Sequence, residues 1–181
     1  MARPGAARRP YTLPFDAPFW SHVQFAPSGL LFSQTDLIMH RGWLQTQRFC
    51  QMDAMTLQNS TSEYLEQCRK ALAEQQAKSL ADTGNWSHVD KRQVHIDWDI
   101  LYKELSTVVD GSLPSSPQVQ ALISRHHAIA VRFYTPSREA YIGLGLFYQD
   151  NPVMKAYHNN FHPKMVDFLG DAIYAYAQRN L

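Results

Sequence analysis

The sequence predicts an all-α domain, and three observations carry that reading. From residue 60 onward, segment after segment opens on a residue suited to cap a helix, often with proline just behind it. Between those openings, apolar residues recur at i, i+3, i+4 and i+7, the stripe of one helix face. No stretch alternates apolar and polar at period two, as a half-buried strand would.

The chain has 181 residues, enough for one core and an appendage. A formal net charge of +1 gives no global reason to bind nucleic acid or an anionic membrane. No apolar run approaches the roughly 18 residues of a membrane span. The basic start (Arg3, Arg8, Arg9) lacks the apolar stretch of a secretion signal, so a cytoplasmic protein is expected. Cys50 and Cys68 are too few for a disulfide framework and read as half-buried thiols.

Residues 1–34 form an irregular tail in this reading. Pro4, Pro10, Pro14, Pro18 and Pro27 forbid a regular helix there. The same stretch carries Phe15, Phe19, Trp20, Phe25 and Phe32, so it either straps onto the domain or stays loose until a partner arrives. Leu37, Ile38, Trp43 and Leu44 then suggest a helix over 35–49. Ser60-x-x-Glu63 reads as a capping box opening a helix to about Asp82, and Gly84 stops it. Residues 85–94 read as a polar loop around Trp86.

Asp97 can cap a helix beginning near Trp98, with Trp98, Leu101, Tyr102, Leu105, Val108 and Val109 as its apolar stripe and Gly111 as its end. Ser116-Pro117 starts the next, which runs to about Tyr134 and is broken by Thr135-Pro136. Ser137 caps another, ending near Tyr148. Asn151-Pro152 repeats the device, and His162-Pro163 opens the last helix.

No familiar catalytic pattern stands out. The block from Arg125 to Ala177 carries no plausible nucleophile, and Glu139 and Asp150 lack partner acids at helical spacing. The Gly143-Leu144-Gly145 step sits inside a helical pattern, not between a strand and a helix, so a dinucleotide fingerprint fails on context. His158 and His162 have metal-ligand spacing, but Pro163 breaks the shared face and surface or cap histidines are the simpler reading. His126 and His127 invite a haem reading; a histidine satisfied by a side chain or carbonyl is commoner. Two glycines weaken a helix by about 1 kcal/mol each against alanine. Gly145 falls on the core face with Tyr141, Leu144 and Tyr148, where close helix approach explains it. Gly143 falls on another face, where a missing side chain would open room for a ligand. The density of Phe133, Tyr134, Tyr141, Phe147, Tyr148, Tyr157, Phe161, Phe168, Tyr174 and Tyr176 would serve a core or a pocket for a planar molecule.

Trp98 opening a helix, RHHAIAVRFY over 125–134, the run from Ser137 to Tyr148, Asp150, Tyr157 and FLGDAIYAYA over 168–177 together resemble one family. It is the TipAS antibiotic-recognition domain, the ligand-binding half of TipA-type regulators of the MerR family. The likeness covers about 96–178 and weakens back to about 60. It implies a globin-like helical fold, with additional N-terminal helices over 35–90 that order around ligand and a core over 91–181. It also implies a cleft for bulky, multi-ring antibiotics of the thiopeptide or albicidin type, held without catalysis. Some members confer resistance by sequestration. TipA-type proteins capture thiopeptides through a cysteine; Gly143 stands at the matching position, so reversible binding is expected.

Tyr134, Glu139, Gly143 and Phe147 are expected along one wall of such a cleft, with Trp98, Tyr102 and His126 as candidates for another; Phe133 and Ala140 complete the candidate ligand-binding residues. No cofactor or metal is expected, nor direct contact with nucleic acid or membrane. The oligomeric state stays open. Two rivals remain: the effector-sensing domain of a regulator without its DNA-binding part, and a haem or metal protein.

Overall fold

The computed structural model describes residues 56–181. The tail over 1–34, the helix expected over 35–49 and Cys50 lie outside the described residues. Six α-helices follow a short 3-10 turn at Leu57–Asn59: α1 (Ser62–Asp82), α2 (Lys91–Ser106), α3 (Pro117–Val131), α4 (Arg138–Asp150), α5 (Pro152–Asn159) and α6 (Met165–Asn180). The all-α expectation holds, with no strand among the described residues.

Local chemistry sets most boundaries. Ser137 caps α4 by accepting from the Ala140 N–H, and Asn151 caps α5 by accepting from Val153 and Met154. Ser116-Pro117 opens α3 as expected, though the serine side chain makes no capping bond. Three starts differ. Thr61, not Ser60, caps α1, because its hydroxyl reaches the Tyr64 N–H. Lys164, two residues past His162, precedes α6, and no side chain caps it. The largest shift is in α2, which begins at Lys91: Asp90 accepts from the Gln93 N–H, and buried Val94 extends the stripe of Trp98, Leu101, Tyr102 and Leu105 by one turn. Asp97 is therefore a mid-helix residue, paired with Arg132 at the end of α3.

α4 is the axis of the domain. Every residue from Ala140 to Tyr148 is buried. Residues two apart on a helix point about 200° away from each other, so Gly143 and Gly145 bare opposite sides of α4. On one side α6 approaches: a Cβ on Gly145 would lie 3.4 Å from the Gly170 Cα. On the other lies α1: a Cβ on Gly143 would sit 2.3 Å from the Cys68 carbonyl oxygen. The expectation of open space at Gly143 is thus overturned. Backbone of α1 fills that place, and Gly143 makes the closer helix approach of the two.

Polar bonds run along the whole of α1. Gln178 on α6 donates to the Tyr64 hydroxyl at 3.3 Å. The Arg69 Nε donates to Asp150 at 2.7 Å. Gln75 donates to the Ser137 hydroxyl at 2.9 Å and accepts from the Ser137 N–H at 3.0 Å. The second of these bonds normally belongs to an acid or amide at the third helical position; that position in α4 is Ala140, and Gln75 supplies the group from another helix. Ser79 donates to the Phe133 carbonyl at 3.4 Å.

Candidate functional site

Five of the expected ligand-contacting residues gather in one aromatic cluster. α2 supplies Trp98 and Tyr102; α3 supplies His126; the segment after α3 supplies Phe133 and Tyr134. Trp98 stacks on Phe133 with centroids 5.8 Å apart and planes at 10°. Trp98 lies 6.3 Å from His126, and Tyr102 lies 6.1 Å from it. Tyr134 joins through Trp86, whose ring is parallel to it within 10° at 6.4 Å and meets Phe133 edge-on at 5.0 Å.

The interior side of this cluster is polar and fully partnered at His126. His126 Nδ1 lies 2.9 Å from the Tyr141 hydroxyl, which also reaches the Ile123 carbonyl at 3.5 Å. Nε2 meets the Tyr102 hydroxyl at 3.3 Å, and Tyr102 is in turn hydrogen-bonded to Tyr148. Burial pushes the imidazole down to about 3, which keeps it neutral, with one ring nitrogen donating and the other accepting. Both ring nitrogens of His126 are spent inside the core. The side-chain-satisfied reading of this histidine stands.

The other expected residues line α4. Ala140 and Gly143 are buried, Gly143 beneath α1. Glu139 is half-buried on the same side of α4 as Tyr64 and Cys68, whose protons its charge helps to retain. Phe147 is buried and lies 6.2 Å from Tyr148, which in turn reaches His126 at 6.1 Å. Cys68 is fully buried, not half-buried, because it faces α4; desolvation pushes its thiol up to about 11.

His158 and His162 do not share a face. His158 is a core residue, not a surface or cap histidine: Nδ1 donates to the Met154 carbonyl at 2.8 Å and the ring packs 4.4 Å from Tyr148. His162 lies past the end of α5 and pairs with Asp110. His127 sits between Tyr141 and Tyr176. No three metal-ligating side chains group together among the described residues. No described helix is long and apolar enough to cross a membrane.

The sequence alone places Trp86 in a polar loop. It is 2% exposed and central to the cluster. Its signal was a lone tryptophan two residues past the helix-stopping Gly84, too isolated for periodicity to register.

This helical domain with an aromatic cluster beside a central buried helix matches a known family. A model of the TipAS antibiotic-recognition domain matches residues 64–176, more than half of the chain, and the chain belongs to that family. It is also similar to the HTH-type transcriptional regulator SkgA of Caulobacter vibrioides, from strains NA1000 / CB15N and ATCC 19089 / CIP 103742 / CB 15. Each is 28% identical over 105 residues, which is 56% of this chain and 41% of the relative. The matched stretch is therefore less than half of those regulators. No solved structure matches.

Proposed function

We propose that this domain binds a bulky, multi-ring antibiotic of the thiopeptide or albicidin type and protects by sequestration, without turnover. The family membership supports a small-molecule ligand. The observation that carries the reading further is the cluster of Trp98, Phe133 and Tyr134. It offers large, flat, apolar rings, and Tyr134 stays half-buried at its edge. Ring contacts of this kind bind by apolar burial and stacking and need no reacting group.

The ionisable groups around the cluster fit binding better than chemistry. Burial raises the Cys68 thiol to about 11 and raises the Tyr102, Tyr134 and Tyr141 hydroxyls above their usual range. It also holds His126 and His158 neutral. None is tuned to act as a nucleophile or base near pH 7. Cys68, the described cysteine, is buried and keeps its thiol proton, so the complex is reversible.

Titrating such an antibiotic with the protein tests this. Drug activity should vanish near equimolar protein, and ligand should raise the melting temperature. Loss of activity at far lower ratios would mean turnover, and an enzyme.

The likeness to SkgA favours a second reading, in which the domain senses the ligand for a transcriptional regulator. It predicts ligand-dependent contact with another protein, and little protection of cells by this chain alone.

A further inference from the structure

Trp86 is held by an unusual turn. Gly84, Asn85 and Trp86 follow one another in the left-handed region, with φ of 57°, 61° and 56°. A glycine adopts this freely and an asparagine often does; for a bulky indole residue it is an outlier. Such strain persists only where the surroundings enforce it, and it concentrates at ligand clamps and switches. Here the surroundings are specific. The indole N–H donates to Ser79 Oγ at 2.7 Å, the backbone N–H donates to Thr83 Oγ1 at 3.0 Å, and His88 holds the Arg132 carbonyl at 3.1 Å. The ring lies parallel to Tyr134 and edge-on to Phe133. Without the indole, the slot would present the face of Tyr134, the Phe133 ring and the Ser79 oxygen as a hydrogen-bond acceptor.

We propose that this slot is a ring-binding subsite which the chain fills with its own Trp86 until a ligand displaces it. The proposal rests on the binding role argued above and names the chemistry of one ligand portion: a flat aromatic ring with an N–H beside it, as in an arylamide. That portion takes the Tyr134 and Phe133 contacts and donates to Ser79 Oγ. The turn swings outward and its three residues leave the left-handed region. The exchange works because it trades one stacked, N–H-donating ring for another and releases backbone strain. Gly84 and Asn85 are already exposed, so the turn has room to move.

Benzanilide, two flat rings joined through one N–H, is the probe. Labelling with 5-fluorotryptophan gives each indole its own fluorine resonance, and Trp86→Phe assigns the one from Trp86. Saturating benzanilide should move that resonance in the unaltered sequence from a buried to a solvent-exposed position. Trp86→Ala leaves the slot vacant; if the slot is otherwise open about one time in ten, this variant binds about tenfold tighter. Binding that leaves the Trp86 resonance unmoved overturns the subsite, and this readout stands even if Trp86→Ala fails to fold. Weaker binding by Trp86→Ala also overturns it, since the indole would then be a wall of the ligand site. If benzanilide binds neither protein, the subsite falls. A thermal shift with whole antibiotics then decides the binding role separately.

Discussion

Gly143 of α4 lies directly beneath the Cys68 carbonyl of α1, so close that a Cβ there would stand 2.3 Å from the oxygen and 2.9 Å from the carbonyl carbon. Gly145, two residues on, faces Gly170 at an ordinary 3.4 Å. The two glycines should therefore answer alanine differently. Gly143→Ala forces backbone to move and should cost about 3 kcal/mol, with amides of α1 exchanging faster. Gly145→Ala should stay within about 1 kcal/mol of the parent, since helix propensity favours alanine by a similar amount. Thermal melts and hydrogen exchange measure both; equal effects would contradict the packing described.

Stability should fall on mild acidification. His126 and His158 are held neutral, at about 3 and about 4, against 6.5 for a free imidazole. Below pH 6.5 the unfolded chain binds protons that the folded chain refuses, so stability is full above that pH and is lost as pH falls. Each histidine removes about 1.4 kcal/mol per pH unit until its folded value is reached. His95 and His127, also shifted down by burial, act in the same direction. Asp171, raised by burial, acts against it, while Asp97, Glu104 and Asp110 are held below the usual carboxylate range and lose their pairings only at lower pH. Urea titrations at pH 7.5 and 5 check the sign; equal stability at both would sink the buried-neutral account.

The His126 hydrogen bonds should be individually costly to lose. Tyr141→Phe leaves Nδ1 without its partner, and Tyr102→Phe leaves Nε2 without its partner. Each should destabilise by about 1–3 kcal/mol. The double variant should cost less than the sum, because the groups share one network. Strict additivity in denaturant unfolding would show that the chain of bonds does not act together.

The amide of Gln75 completes the cap of α4 from across the α1 interface. Gln75→Ala should cost about 1 kcal/mol through Ser137, and Ser137→Ala a similar amount. Because both variants break one shared set of bonds, the pair should be clearly sub-additive in a double-mutant cycle.

Much of this architecture was legible in the sequence because it is encoded locally. Ser137, Asn151 and Ser116-Pro117 mark helix starts within a few residues of the groups they serve. The start of α2 was missed because Asp97 is an equally good capping residue by type, and only the packing of Val94 chooses Asp90. The contact at Gly143 was misread for a different reason. Its partner, Cys68, is remote in the chain, and periodicity states which face a residue lies on but not what covers that face. The structure gathers Trp98, Tyr102, His126, Phe133 and Tyr134, which the sequence divides between two walls, and Trp86, which joins Tyr134 to the others, carries no pattern.

The covering of α4 by α1 bears on where this protein can be cut. A fragment beginning at Lys91 would keep most of the recognisable motifs but bare the Gly143 side of α4 to water. Such an exposed apolar seam invites self-association, so that fragment is expected to pair or precipitate at concentrations where the parent chain stays monodisperse. Any shortened form should begin upstream of Leu57, whose N–H is tied to Asp171 on α6 at 2.9 Å and anchors the chain just ahead of α1.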